Sequence, residues 1–212
     1  MKLLLTSAGL PPETAKAFLK LLNKEPEETR VCFITTASHP EENKEYVEKD
    51  RKRLLELGFK TITEIDLKEE NEESLIKKLN NFDVIFVEGG NTFYLLKYVR
   101  ESGFEKALKS FLERGGIYLG VSAGSYIAGL DISPTQWKHV EDKNIVGLKD
   151  LRGMGFVDFV IFPHYRPEHE AVIKENKINF PFPIVALTDL QAVLVEDGKI
   201  EFVGPGEFKK FE

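Results

Sequence analysis

Gly120-Val121-Ser122-Ala123-Gly124 places a serine two residues from a glycine on either side, directly after the apolar run Ile117 to Val121. That spacing suits a nucleophile, because small residues let the chain turn sharply from strand into helix and hold the serine in a strained, exposed position. The amides that follow would open a helix, where they can stabilise a developing oxyanion. The pentapeptide alone serves equally well as a packing turn; its strand-to-helix context favours the nucleophile.

A second glycine pair, Glu88-Gly89-Gly90-Asn91-Thr92, follows the apolar run Val84 to Val87. Loops leaving the carboxyl ends of parallel strands share one rim of a sheet, where ligands bind. The Gly90 amide is therefore a candidate oxyanion donor beside that of Ala123, and Asn91 and Thr92 are candidate substrate contacts. The loop lacks the lysine and longer glycine signature of a phosphate cradle.

A serine hydroxyl needs a base, and the chain has four histidines. His39 lies in a polar loop, His139 in the irregular stretch Trp137-Lys138-His139, and His169 is expected at the surface. His164 ends the apolar run Val157 to Pro163, a strand end expected on the same rim, so it is the candidate to take the Ser122 proton. The acid that would orient it is Asp189, which follows the run Ile184 to Leu187; Asp131, after the elbow helix, and Glu168 stay open. Arg166 could bind a substrate carboxylate bidentately, although a solvated arginine is the ordinary case. Cys32 sits mid-strand without a base and reads as a small apolar residue. No His, Asp or Glu spacing resembles a metal site, and no cofactor is expected.

These residues need a frame that brings strand ends together. Apolar runs at Leu3 to Leu5, Val31 to Thr35, Val84 to Val87 and Ile117 to Val121 alternate with helix-period segments at Glu13 to Asn23, Asn43 to Leu57, Glu72 to Asn80, Phe93 to Arg100 and Glu105 to Arg114. Thr61 to Leu67 alternates as a half-buried strand does. The pattern predicts an α/β fold, a three-layer, mostly parallel sheet flanked by helices. Ala192 to Val195 and Ile200 to Val203, joined around Asp197-Gly198, predict a C-terminal antiparallel hairpin at one edge. With no repeat and no linker, residues 1–212 are expected to form one domain.

The 212 residues carry a net charge of −6, with 42% hydrophobic and 30% charged residues. That balance is globular, and the acidic total argues against a nucleic-acid or anionic-membrane partner. One cysteine excludes an internal disulfide and suits a reducing compartment. No run approaches the ~18 apolar residues of a spanning helix, so a cytoplasmic protein is expected. Phe208 and Phe211 near the C-terminus suit either a homodimer contact or a docked tail.

Gly89-Gly90-Asn91-Thr92-Phe93, then Gly120-Val121-Ser122-Ala123-Gly124, then Pro163-His164-Tyr165, in that order, resemble the peptidase E (aspartyl dipeptidase) family of serine peptidases, to which cyanophycinases are related. The resemblance spans most of the chain. It implies a class I glutamine amidotransferase-like fold with serine at the elbow in place of cysteine. By motif it makes Ser122 the nucleophile, His164 the base and the Gly90 and Ala123 amides the oxyanion hole. The family acid corresponds to the neighbourhood of either Asp131 or Asp189. The dipeptidase branch carries a longer loop after its histidine, with a Gly-Glu-Thr-Arg run; here the sequence reads Tyr165-Arg166-Pro167-Glu168-His169-Glu170, a departure that bears on acidic specificity. The expected activity is a serine exo- or dipeptidase acting on small peptides through an acyl-enzyme. The alternatives are another acyl-transfer hydrolase, such as an esterase, amidase or cyanophycinase-like enzyme, and a silent binding protein on the same fold.

Overall fold

Strands with both faces covered read as unbroken apolar runs, and the first of them, Leu3-Leu4-Leu5, is completely buried. The computed structural model describes residues 1–138, 140 and 142–212; His139 lies outside them. In chain order the first half contains β1 (Lys2–Thr6), α1 (Pro12–Leu21), β2 (Arg30–Ile34), α2 (Glu45–Glu56), β3 (Thr61–Ile65), α3 (Glu72–Leu79), β4 (Val84–Val87) and α4 (Thr92–Glu101). The second half contains α5 (Phe104–Glu113), β5 (Ile117–Val121), α6 (Ala123–Ala128), β6 (Val160–Phe162), α7 (His169–Lys177), β7 (Ile184–Ala186), β8 (Ala192–Glu196), β9 (Lys199–Val203) and β10 (Lys209–Phe211).

The main sheet has seven strands in the order β3-β2-β4-β5-β1-β8-β9. The first five are parallel, and β8 and β9 join antiparallel as the expected hairpin. Alternation along each strand divides the core. Leu3, Leu5, Ile85, Val87 and Tyr118 face α3 to α6, whereas Leu4, Val84, Phe86, Leu119 and Val121 pack with α1 and α2 through Phe18, Val47 and Leu54. This is the three-layer arrangement, and the register of Val87 with Gly120 and of Thr6 with Val121 sets three loops side by side at one rim.

Strands β6 and β7 do not extend this sheet. They pair in parallel with each other, and β10 pairs antiparallel with β7, as a separate three-stranded sheet. The run Val157 to Pro163 is strand only from Val160 to Phe162, so His164 ends a strand of the second sheet rather than of the first. The two sheets still meet at the rim, where the His164 N–H donates to Ser7 Oγ just beyond β1 at 2.7 Å. Leu187 N–H donates to Phe162 C=O at 2.9 Å and Tyr165 N–H to Leu187 C=O at 2.9 Å, holding the segments after β6 and β7 together. Phe208 packs on Phe202 with ring centroids 5.0 Å apart, and both Phe208 and Phe211 lie against the chain's own core. No helix among the described residues is long and apolar enough to cross a membrane.

Candidate active site

Ser122 stands between β5 and α6 with φ 48° and ψ −105°, a conformation that costs a non-glycine residue about 1–3 kcal/mol. Its surroundings over-determine it. The Ser122 N–H donates to Thr6 C=O at 3.1 Å. The buried Ser125 hydroxyl lies 2.7 Å from Thr6 C=O and 2.8 Å from Gly120 C=O. The Tyr118 hydroxyl donates to Gly124 C=O at 2.6 Å from wholly inside the core. The two glycines of the pentapeptide permit close approach: a Cβ on Gly120 would come within 2.6 Å of Gly124 O, and one on Gly124 within 2.4 Å of Val87 O.

His164 and Asp189 meet this serine in line. The Ser122 hydroxyl and His164 Nε2 are 2.9 Å apart, and His164 Nδ1 is 2.6 Å from Asp189 Oδ1. A neutral imidazole with its proton on Nδ1 donates to the carboxylate and leaves Nε2 free to accept from Ser122. The hydrogen bond from His164 holds the Asp189 carboxyl below its ordinary range, with partial burial opposing. About half of each side chain in this acid–base pair is open to water, 48% for His164 and 51% for Asp189, so the chemistry takes place at an open rim.

Asp131 is elsewhere occupied. Its carboxylate accepts from the Ser133 N–H at 2.7 Å and from the Ser133 hydroxyl, and its backbone bridges to Arg152. Of the acids left open by sequence, Asp189 is the one hydrogen-bonded to His164. Arg166 is exposed beside the pair, and its charge contributes slightly to lowering Asp189. His169 is not at the surface: it is 7% exposed, its Nδ1 accepts from the Arg166 N–H at 3.1 Å, and its ring packs edge-on to Phe162. His39 stands 3.4 Å from Asp66. Cys32 is fully buried, and desolvation pushes its thiol up to about 12, which suits packing and not nucleophilic attack.

The Gly89-Gly90 loop lies against the elbow. A Cβ on Gly89 would be 3.2 Å from Ser122 Cβ, and Gly90 has φ 130°, with Ala37 O only 2.3 Å from where its Cβ would be. Only glycine is free of strain in that conformation. Neither the Gly90 nor the Ala123 N–H donates to a backbone carbonyl among the described residues. Asn91 and Thr92 are 4% and 2% exposed, and their polar groups are committed to the loop. The Asn91 side chain accepts from Tyr94 N–H at 2.9 Å, capping α4, and donates to Asp142 Oδ1 at 2.8 Å and Lys143 C=O at 2.9 Å. Thr92 N–H donates to Asp142 Oδ2 at 2.7 Å. These contacts let the two residues shape the loop from behind.

With this geometry in view, comparison with known proteins decides the family: residues 3–203 match the model of peptidase family S51. The chain belongs to that family. An uncharacterized peptidase of Pasteurella multocida is 32% identical over 170 residues, covering 79% of this chain and 81% of the relative. A peptidase E of a Nostoc species is 30% identical over 185 residues, covering 82% of this chain and 72% of the relative. Among solved structures, one described as a candidate peptidase E protein from Listeria monocytogenes EGD-e superposes with a TM-score of 0.81 at 27% identity, covering 97% of this chain and 98% of that one. The S51 chain described here is a hydrolase of the peptidase class with the α/β fold of that neighbour.

Two residues of the S51 site carried no motif in the sequence. Ser7, at the end of β1, accepts the His164 N–H at 2.7 Å and lies 3.3 Å from Asp189 Oδ1, touching base and acid together. Its position in the turn Thr6-Ser7-Ala8-Gly9 after an apolar run was a usable signal, since that turn also falls on the rim. Asp142 clamps the Gly90 loop from 50 residues away in sequence, and nothing local marks it.

Proposed function

We propose that the chain is a serine exo- or dipeptidase in which Ser122 is the nucleophile, His164 the general base and Asp189 the orienting acid. The observation that carries this reading is the unbroken line from Ser122 Oγ through both His164 nitrogens to Asp189, at 2.9 and 2.6 Å. His164 takes the Ser122 proton as Oγ attacks the scissile carbonyl, and then returns it to the leaving amine. Asp189 fixes the ring tautomer and stabilises the imidazolium while it lasts. The Gly90 and Ala123 amides face the developing oxyanion, a contribution that elsewhere is worth about 10²–10³ in kcat per donor. Water then enters by the same route, activated by His164, and releases the acid product from the acyl-enzyme.

Small peptides are the substrate class, in keeping with the family. Arg166, exposed next to Asp189, would meet a substrate carboxylate and favour an acidic residue or a free C-terminus over a neutral blocked peptide. The test is a panel of Asp-X dipeptides, β-aspartyl dipeptides, neutral dipeptides and a blocked longer peptide, run with the native protein and Ser122→Ala. Turnover of a dipeptide class that disappears in Ser122→Ala supports the reading. Full activity in Ser122→Ala refutes it.

A further inference from the structure

Glu88 is the last residue before the Gly89-Gly90 loop, and it is fully buried. It falls on the α1/α2 face of the sheet, beyond Phe86 in β4 and beside Val121 in β5. Neither of its carboxyl oxygens has a hydrogen-bond partner of full geometry among the described residues; the Gly89 amide acts on the carboxyl only enough to offset part of its burial. What faces them is a second carboxyl, that of Asp50 on α2. Two ionised carboxylates in such a place would repel with no donor between them, whereas a single proton converts them into a donor and an acceptor.

The pair touches both loops that build the site. Asp50 lies under the β1–α1 loop: a Cβ on Gly9 would sit 2.4 Å from Asp50 Oδ1, two residues from the Ser7 that holds His164 and Asp189. On the other side Glu88 leads directly into Gly89, whose bare face abuts Ser122. Tyr46, one turn before Asp50 on α2, donates its hydroxyl to Gly89 C=O at 3.4 Å. The helix, the acid pair and both loops therefore form one connected unit.

We propose that Glu88 and Asp50 share one proton, and that this proton makes Glu88 a positioning residue for the Gly89-Gly90 amides. The inference rests on the proposed function in one respect, the role of Gly90 at the oxyanion. Burial and the charge of Asp50 raise Glu88 well above the ordinary carboxylate range, with the Gly89 amide opposing in part; burial raises Asp50 as well, opposed by its Glu88 hydrogen bond and by Lys49. Glu41, before α2, bears on Tyr46 in the same sense as Glu88, while Arg53 turns away to Leu10 C=O and Glu56. Gly9 brings no charge from the β1–α1 loop. For carboxyls raised on folding, the native chain keeps a proton that the unfolded chain has released. Their contribution to stability is thus complete at acid pH and is lost as pH rises through the raised value. Ionisation of the second carboxyl would drive Glu88 and Asp50 apart and slacken the loop at Gly90.

The experiment compares the native protein with Glu88→Gln, Glu88→Ala and Asp50→Asn, measuring kcat and KM against pH on the peptide turned over best. Melting temperature is followed over the same pH range. Glu88→Gln supplies a permanent donor to Asp50, so it should keep near-native kcat at neutral pH and lose the alkaline fall in both kcat and melting temperature. Asp50→Asn makes the same exchange from α2 and serves where Glu88→Gln folds poorly. Glu88→Ala leaves Asp50 without a partner and should lower kcat by about tenfold, a part of what a whole oxyanion donor is worth, with KM little changed. An alkaline fall in melting temperature that is the same in Glu88→Gln, Asp50→Asn and the native protein overturns the proposal. The melting curves need no turnover, so activity persisting in Ser122→Ala would count against the serine mechanism and leave the shared proton to be judged on the curves alone.

Discussion

Asp189→Asn is the substitution that examines the site most closely, because it retains the shape and inverts one hydrogen bond. In the native protein His164 Nδ1–H donates to Asp189 Oδ1 across 2.6 Å. An asparagine presenting its NH₂ there favours a tautomer with the proton on Nε2, which can no longer accept from Ser122. The loss of a charge-assisted bond is worth about 1.5–3 kcal/mol, or roughly 10- to 150-fold. The tautomer error adds to it, and in a buried triad the two together reach about 10⁴. Here half of the Asp189 side chain is open to water, which can replace part of what the carboxylate does. The expected fall in kcat/KM is therefore about 10²–10⁴, mainly in kcat, without loss of fold. Asp131→Asn is the control: Asp131 is bonded to Ser133, so activity should stay within a few-fold of native. The assay is steady-state hydrolysis with circular dichroism on each protein. An active Asp189→Asn, or an inactive but folded Asp131→Asn, would refute the assignment of the acid.

Other expectations follow from individual contacts. Ser7→Ala removes the acceptor for the His164 N–H and the hydroxyl beside Asp189; it should lower kcat by about 10- to 100-fold, by analogy with partners that orient reactive groups, and kinetics within twofold of native would show that Ser7 is dispensable. Tyr118→Phe removes one hydrogen bond to the Gly124 carbonyl in the core under the elbow, a loss of about 0.5–1.5 kcal/mol; thermal unfolding should register a drop of a few degrees, with kcat reduced as well. Asp83 takes hydrogen bonds from Arg30 and Lys24 that lower its carboxyl to about 2 against opposing burial. A carboxyl depressed on folding stabilises above its unfolded value, and that stabilisation is lost as pH falls toward the folded one. Asp83→Asn should accordingly flatten the acid side of a plot of melting temperature against pH between about 4 and 2.

Much of this site could be read in the sequence because its chemistry is tied to local turns. Ser122, Gly90 and Ala123 sit in glycine-rich turns directly after apolar strands, and the strand-to-helix turn needs glycine for reasons visible within five residues. The central sheet was legible for a similar reason, since four buried strands read as apolar runs between amphipathic helices. The second sheet was not. Its strands are three residues each, too short for any alternation, and pairing of β10 with β7 joins segments about 25 residues apart. The histidine was found by its strand end, although that strand belongs to a different sheet from the one inferred. His169, five residues beyond His164, reads as a surface residue, yet helix α7 turns it inward against Phe162. Asn91 and Thr92 illustrate a further limit: their contacts with Asp142, 50 residues on, shape the Gly90 loop and carry no local signal.

The central claim is that His164 and Asp189 activate Ser122 as a nucleophile. It is tested most directly by treating the native protein, Ser122→Ala and His164→Ala with a serine-reactive fluorophosphonate and measuring intact and peptide masses. The account predicts one adduct per native chain, on the peptide containing Ser122, absent from Ser122→Ala and formed far more slowly in His164→Ala. A native protein that hydrolyses peptides but carries no adduct on Ser122, or carries it on another residue, would contradict it.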